Sequence, residues 1–193
     1  MKPSLLIYIH GFNSSPQSHK AMLMQQYCQQ HRPDIKVLVP QLPCFPNQSE
    51  QLLLQLVEQY RDHYQIGLVG SSLGGYFSIW LNQQFAFRAV LVNPAVKPYE
   101  LLVDYLGDQL NPYTGEQYVL LPQHVQQLKE LDVEQIARPD SLWLLQQTAD
   151  EVLDYRQAVE KLSLCKQTVE QGGDHSFVDF ERFPQSIIEF LQL

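Results

Sequence analysis

Short runs of apolar residues alternate along the chain with longer stretches in which apolar residues recur every three or four positions. The runs are rich in Val, Ile and Leu, which is typical of strands buried on both faces, and the longer stretches have helical spacing. The predicted strands are 5–9, 35–39, 65–69, 88–92, 142–146 and 167–170. The predicted helices are 20–31, 47–63, 73–82, 155–162 and 184–193, the second one capped by Asn47 or Ser49. This pattern predicts an α/β fold, a doubly wound and mostly parallel six-stranded sheet with helices on both faces.

The alternation breaks between the fourth and fifth predicted strands, at about residues 95–138. This segment contains several prolines and aromatic residues and a predicted turn at 111–115. Because it is longer than an ordinary loop and has enough apolar residues to fold, we expect a small cap over the carboxyl edge of the sheet. No repeat or linker divides the chain, so we expect residues 1–193 to form a single domain.

Composition excludes several classes of protein. The chain has 193 residues, 45% of them hydrophobic, and a net charge of −8, which argues against nucleic-acid binding because that needs clustered Lys and Arg. No apolar run approaches the roughly 18 residues of a membrane-spanning helix, so no membrane insertion is expected. Cys28, Cys44 and Cys165 are scattered and predict free thiols in a reducing compartment. We therefore expect a cytoplasmic protein.

A G-x-S-x-G motif, formed by Gly70, Ser72 and Gly74, lies between the third predicted strand and the helix that follows. A serine at the centre of such a turn has a strained backbone and lifts its hydroxyl above the edge of the sheet. Glycine on each side leaves the room that a side chain would occupy. Ser71 lacks this spacing. We therefore identify Ser72 as the candidate nucleophile; the alternative is a tight turn with a spectator serine.

A serine nucleophile needs a base and an acid further along the chain. His175 lies in a glycine-rich loop after the last strand, whereas the other downstream histidine, His124, lies in the irregular segment. Asp150 is the first acid after the fifth strand and is the candidate that orients the base, with Glu151 or Asp154 as alternatives. Asp150 could instead cap the next helix.

The oxyanion of the reaction needs two backbone N–H donors near the serine. Leu73 follows the candidate nucleophile, and Phe12 follows the first strand after Gly11, which permits a close approach of the backbone. His10 is predicted to brace this loop. The chain has no histidine spacing typical of a metal site, so neither a metal nor a cofactor is expected.

Several segments in order along the chain carry a family resemblance. They are YIHGFNSSP at 8–16, VGSSLGGY at 69–76, NPA at 93–95, NPYTGEQY at 111–118, TADEVLDY at 148–155 and GGDHSF at 172–177. Together they resemble the small YqiA-type esterases of bacteria, in the α/β-hydrolase superfamily. The resemblance implies a minimal α/β-hydrolase fold and an enzyme that cleaves short-chain acyl esters of small molecules, and also acyl thioesters.

Other functions share these features. An acyl thioesterase or an acyltransferase would use the same acyl-enzyme, and hydrolysis measured against transfer to an added alcohol or thiol separates them. A hydrolase fold can also serve as a non-catalytic binding protein, although all three residue types of the triad stand at workable positions here. The sequence favours a serine esterase with Ser72, Asp150 and His175.

Overall fold

The computed structural model describes residues 2–193 and shows strands and helices in alternation. The strands are β1 (Ser4–Ile9), β2 (Lys36–Leu38), β3 (Gln65–Ser71), β4 (Arg88–Val92), β5 (Gly107–Leu110), β6 (Gln117–Leu120), β7 (Leu142–Gln147) and β8 (Lys166–Glu170). The helices are α1 (His19–His31), α2 (Pro46–Tyr60), α3 (Leu73–Phe85), α4 (Pro98–Leu101), α5 (Pro122–Glu130), α6 (Tyr155–Lys161) and α7 (Pro184–Leu191). Within residues 2–193, none of the helices has the length and apolar character needed to cross a bilayer.

Six strands form one parallel sheet in the order β2-β1-β3-β4-β7-β8. All six predicted strands are present, and the predicted six-stranded parallel sheet is confirmed. The chain adds β2 on one side of β1 and then returns to add β3 on the other side. The order in which strands are added to the sheet therefore changes direction at β1. In open parallel sheets ligands bind at such a point, beyond the carboxyl ends of the strands.

The two faces of the sheet are covered by different helices. Leu5 and Ile7 of β1 point to the face that packs against α2, α3 and α6, while Leu6 and Tyr8 point to the face covered by α1 and α7. All four side chains are buried. Burial of a large apolar side chain contributes about 1.5–3 kcal/mol, so both cores hold the central strands rigidly in place.

The predicted capping of α2 is wrong. The helix begins at Pro46 with Phe45 as its N-cap, so neither Asn47 nor Ser49 caps it. Proline is favoured at the first helical position because its fixed φ suits the helix and its missing N–H would have no partner there. The Ser49 hydroxyl instead donates a hydrogen bond of 2.8 Å to the carbonyl of Pro43.

The segment between β4 and β7 is ordered and contains an antiparallel hairpin of β5 and β6. The predicted turn is confirmed: the N–H of Gly115 donates to the carbonyl of Asn111 at 2.9 Å. The hairpin contacts the loop that follows β1, where the Tyr118 hydroxyl donates to Asn13 Oδ1 at 2.8 Å. The Asn111 amide donates to the carbonyl of Ser14 in the same loop. The segment therefore lies at the carboxyl edge of the sheet.

Candidate active site

Ser72 occupies a sharp turn between β3 and α3. Its φ of 54° and ψ of −121° are strained for a residue with a side chain. A Cβ atom on Gly70 would collide with the carbonyl of Gly74, and one on Gly74 would collide with the carbonyl of Ile9. The turn therefore requires glycine at both positions, as the motif predicts.

The backbone of Ser72 is fixed by the end of β4. Its N–H donates to the carbonyl of Val92 at 3.1 Å, and its carbonyl accepts from the N–H groups of Gly75 and Ala95 at 2.9 and 3.0 Å. Within residues 2–193 the Ser72 hydroxyl makes no hydrogen bond, and it lines a cavity of about 280 Å³ that His175 also lines. The hydroxyl is thus held at a fixed place and left open to a ligand.

His175 and Asp150 form a close pair beside this cavity. The Nδ1 atom of His175 lies 2.9 and 2.8 Å from the two carboxylate oxygens of Asp150. The carboxylate is fully buried, and the N–H groups of Val152 and Leu153 each donate to its Oδ1 at 2.9 Å. Because a carboxylate only accepts, Nδ1 carries the hydrogen and Nε2 is left as a base.

The other two acids considered for this role make different contacts. Glu151 accepts a hydrogen bond of 2.9 Å from the backbone N–H of His175, which lowers the pKa of Glu151. Asp154 is the N-cap of α6 and accepts from the N–H of Arg156. Of the three acids, only Asp150 contacts the imidazole ring.

His124 lies away from this pair, in α5. Its Nδ1 accepts a hydrogen bond of 3.0 Å from the backbone N–H of Leu121, and its ring lies 4.5 Å from that of Phe45. Burial lowers the pKa of His124. The ring therefore supports the start of α5.

The two predicted oxyanion donors are available. Within residues 2–193 neither the N–H of Phe12 nor that of Leu73 donates a hydrogen bond to another group. The N–H of Leu73 is unpaired because it opens α3. A Cβ atom on Gly11 would lie only 3.1 Å from the Cβ of Ser72, so the loop passes directly over the serine.

His10 braces that loop, as predicted. Its Nε2 accepts a hydrogen bond of 3.1 Å from the N–H of Leu42, and its Nδ1 donates to the carbonyl of Gly11 at 3.0 Å. A neutral imidazole has one donor and one acceptor, so both contacts are satisfied only by the neutral ring. Burial also lowers the pKa of His10, which favours the neutral ring.

Two residues to which the sequence analysis gave no role hold the loop of His175. The Asn93 amide donates to the carbonyls of Asp174 and His175 at 2.8 and 3.1 Å, and its oxygen accepts from the N–H of Gln147. The Gln147 oxygen accepts from the N–H groups of Asp174 and Val178 at 3.2 and 2.9 Å. The sequence offered one signal that could have found them. Each is a polar residue at the carboxyl end of a strand, since Asn93 directly follows β4 and Gln147 ends β7.

A second, smaller cavity adjoins the predicted oxyanion donors. Its volume is about 20 Å³, and its lining includes Phe12 and Leu73 together with apolar side chains. Leu42, Phe77 and Leu102 supply much of that apolar wall. A cavity of this size holds about one water molecule or one methyl-sized group.

Comparison with known proteins gives a family match over nearly the whole chain. The sequence model of an uncharacterised protein family, UPF0227, matches residues 5–192. The UPF0227 protein YcfP from Escherichia coli is 32% identical over 100 residues, which are 50% of this chain and 53% of YcfP. The chain thus aligns with about half the length of the curated relatives it matches.

Solved structures share the fold at low sequence identity. Alpha/beta hydrolase domain-containing protein 10 from mouse has a TM-score of 0.74 and 15% identity, covering 100% of this chain and 92% of the mouse chain. The esterase domain of a Rhodothermus marinus protein has a TM-score of 0.69 and 13% identity, covering 97% and 86% of the two chains. Both share the fold of this chain, which the name of the mouse protein identifies as that of the α/β hydrolases.

Proposed function

The chain belongs to the uncharacterised protein family UPF0227, and we propose that it is a serine hydrolase that cleaves short-chain carboxylic esters. The single observation that carries this proposal is the pair of His175 and buried Asp150 beside the cavity that contains Ser72. This is the arrangement of nucleophile, base and orienting acid that serine hydrolases use. The esterase name of the Rhodothermus marinus neighbour agrees with the proposal.

The proposed reaction proceeds through an acyl-enzyme. Nε2 of His175 takes the proton of Ser72 as its oxygen attacks the ester carbonyl, and the backbone N–H groups of Phe12 and Leu73 bind the oxyanion. The alcohol leaves with the proton from His175. Water then attacks the acyl-enzyme while His175 takes its proton, and His175 returns that proton to the Ser72 oxygen as the acyl bond breaks, which releases the free acid and restores Ser72.

Asp150 acts through the imidazole in this scheme. Its buried carboxylate fixes the tautomer in which Nδ1 carries the hydrogen, and it stabilises the imidazolium that forms during the reaction. The N–H groups of Val152 and Leu153 in turn keep that carboxylate in place. The ring is therefore oriented before a substrate arrives.

The small cavity beside the oxyanion donors favours a short acyl group. An acyl chain points away from the leaving alcohol, and the apolar wall of Leu42, Phe77 and Leu102 encloses only about 20 Å³ there. The methyl of an acetyl group fits such a space, whereas a longer chain requires the wall to move. This size supports an esterase for small acyl groups.

The proposal also covers the domain that contains the site, its cap and its location in the cell. We assign residues 1–193 to one α/β-hydrolase domain, with a cap formed by the segment at about 95–138. The hydrogen bonds from Tyr118 and Asn111 to the loop after β1 support a cap that is fixed rather than mobile. A cytoplasmic location is supported by the three free cysteines.

Hydrolysis of 4-nitrophenyl acetate tests the proposal, with the neighbouring serine as the matched control. Ser72→Ala is expected to lower kcat by about 10⁴-fold or more, because it removes the nucleophile. Ser71→Ala is expected to keep most of the activity, since Ser71 lies outside the motif spacing. Equal activity of the wild type and Ser72→Ala would contradict the proposal and favour a binding protein.

A further inference from the structure

We infer that the leaving group of the substrate carries a negative charge and binds Lys20, at the start of α1. This inference rests on the proposed function and names the substrate class of the same site. It follows from three features of the cavity above Ser72: the charges that line it, the contacts of Lys20, and the side on which His175 stands.

The cavity above Ser72 is lined by basic and neutral residues. Lys20, His19 and His175 line it, and among residues 2–193 no aspartate or glutamate does. This differs from the chain as a whole, whose net charge is −8. The N-terminus of α1 adds to the positive potential, because its first turn contains no acid and its N-cap, Ser18, makes no side-chain hydrogen bond.

Lys20 is held in place by one contact and has donors to spare. Its ammonium donates a hydrogen bond of 2.7 Å to the carbonyl of Ser176, the residue after His175. An ammonium has three donors, and the other two meet no hydrogen-bond acceptor within residues 2–193. A cation with free donors is therefore positioned beside the catalytic base.

The surroundings of Lys20 favour an anionic partner. Burial lowers the pKa of Lys20 to about 8, although the negative charges of Asp174 and Asp150 oppose this. His175, on the same side, is paired with Asp150. The ammonium is thus charged at neutral pH, half-buried and left with two unused donors, and a charge-assisted hydrogen bond from a ligand would occupy them.

The position of His175 shows which part of the substrate the cation would meet. His175 donates a proton to the leaving group in the proposed reaction, so the leaving group lies on the side of His175 and Ser176. The small cavity proposed for the acyl group includes neither Lys20 nor His175 in its lining. The substrate is therefore an ester or thioester of an alcohol or thiol that bears a carboxylate or a phosphate.

Two acetyl esters that differ in one charge test this inference. 4-Acetoxybenzoate carries a carboxylate on its leaving group, and 4-acetoxybenzamide carries a neutral amide of similar shape. We expect the wild type to prefer the charged ester in kcat/KM by about tenfold. In Lys20→Met this preference is lost through a higher KM for the charged ester alone, whereas Lys20→Arg retains part of it. Lys129→Met removes the same charge from α5 and is expected to keep the preference.

The pH dependence of the wild type gives a second measurement that needs no variant. As the pH rises above about 8, Lys20 loses its proton and KM for the charged ester rises, while KM for the neutral ester does not. The wild type hydrolysing both esters equally well would overturn the inference and leave the esterase proposal intact. An equal loss of kcat/KM with both esters in Lys20→Met would also overturn it, since Lys20 would then only hold the backbone of Ser176 in place. Hydrolysis of neither ester by the wild type would contradict the proposed function itself.

Discussion

Asn93, which follows β4, donates a side-chain hydrogen bond of 3.1 Å to the backbone carbonyl of His175, 82 positions further along the chain. The preceding residue, Val92, accepts the hydrogen bond from the N–H of Ser72. The end of one strand therefore fixes both the candidate nucleophile and the loop of the candidate base. The distance between these two groups depends on β4.

Asn93→Gly is expected to lower kcat by about 10²-fold, because the loop of His175 loses its anchor and small displacements of a catalytic group are costly. Glycine accepts the φ of 40° at this position, so the change removes the side chain without straining the backbone. The measurement is kcat for 4-nitrophenyl acetate, with circular dichroism to verify folding. A folded variant with wild-type kcat would show that the loop holds its position without Asn93.

Two of the three acids near β7 predict different results. Asp150→Asn is expected to lower kcat by about 10⁴-fold while the protein stays folded, because the amide disrupts the tautomer of His175. Asp154→Asn is the matched control: Asp154 caps α6, and Asn is a comparable cap, so kcat and stability should change little. A larger loss of kcat in Asp154→Asn than in Asp150→Asn would contradict the assignment.

The small acyl cavity predicts a chain-length preference that one residue controls. We expect kcat/KM to fall by at least about tenfold from 4-nitrophenyl acetate to the hexanoate, because the longer chain exceeds the enclosed space. Leu102→Ala enlarges the cavity and is expected to raise the relative activity on the hexanoate. Leu106→Ala, at an exposed position outside the cavity, is the control. An unchanged preference in Leu102→Ala would indicate that the acyl group binds elsewhere.

Stability is expected to fall as the pH is lowered from about 7 to 5. Burial lowers the pKa of His10 below its ordinary value of 6.5, so on acidification the unfolded chain takes up the proton first. The neutral ring contributes its full share to the stability of the fold above about pH 6.5. This contribution is lost as the pH falls through the lowered pKa of His10 in the folded protein. Urea unfolding at several pH values measures how steeply the free energy of unfolding changes with pH, and this slope should be smaller in His10→Asn. An identical slope in that variant would contradict the prediction, with His124→Asn as a comparison for the second buried histidine.

The sequence predicted the parts of the molecule that depend on local patterns. The runs of Val, Ile and Leu predicted the strands, and the glycines around Ser72 predicted the turn, because Cβ atoms there would meet backbone. It favoured Asp150 but kept Glu151 and Asp154 as alternatives, since acids within five positions differ only in how the loop orients them. Asn93 was not predicted because its partners lie about 80 positions away and no local pattern records them.

Labelling with a fluorophosphonate probe tests the central claim most directly, because the probe forms a covalent bond only with an activated serine. Mass spectrometry of the wild type is expected to locate the adduct on Ser72. The same adduct should form in Ser71→Ala, should be absent in Ser72→Ala, and should form far more slowly in His175→Ala. A folded wild type that forms no adduct, or that forms it on another residue, would contradict the account.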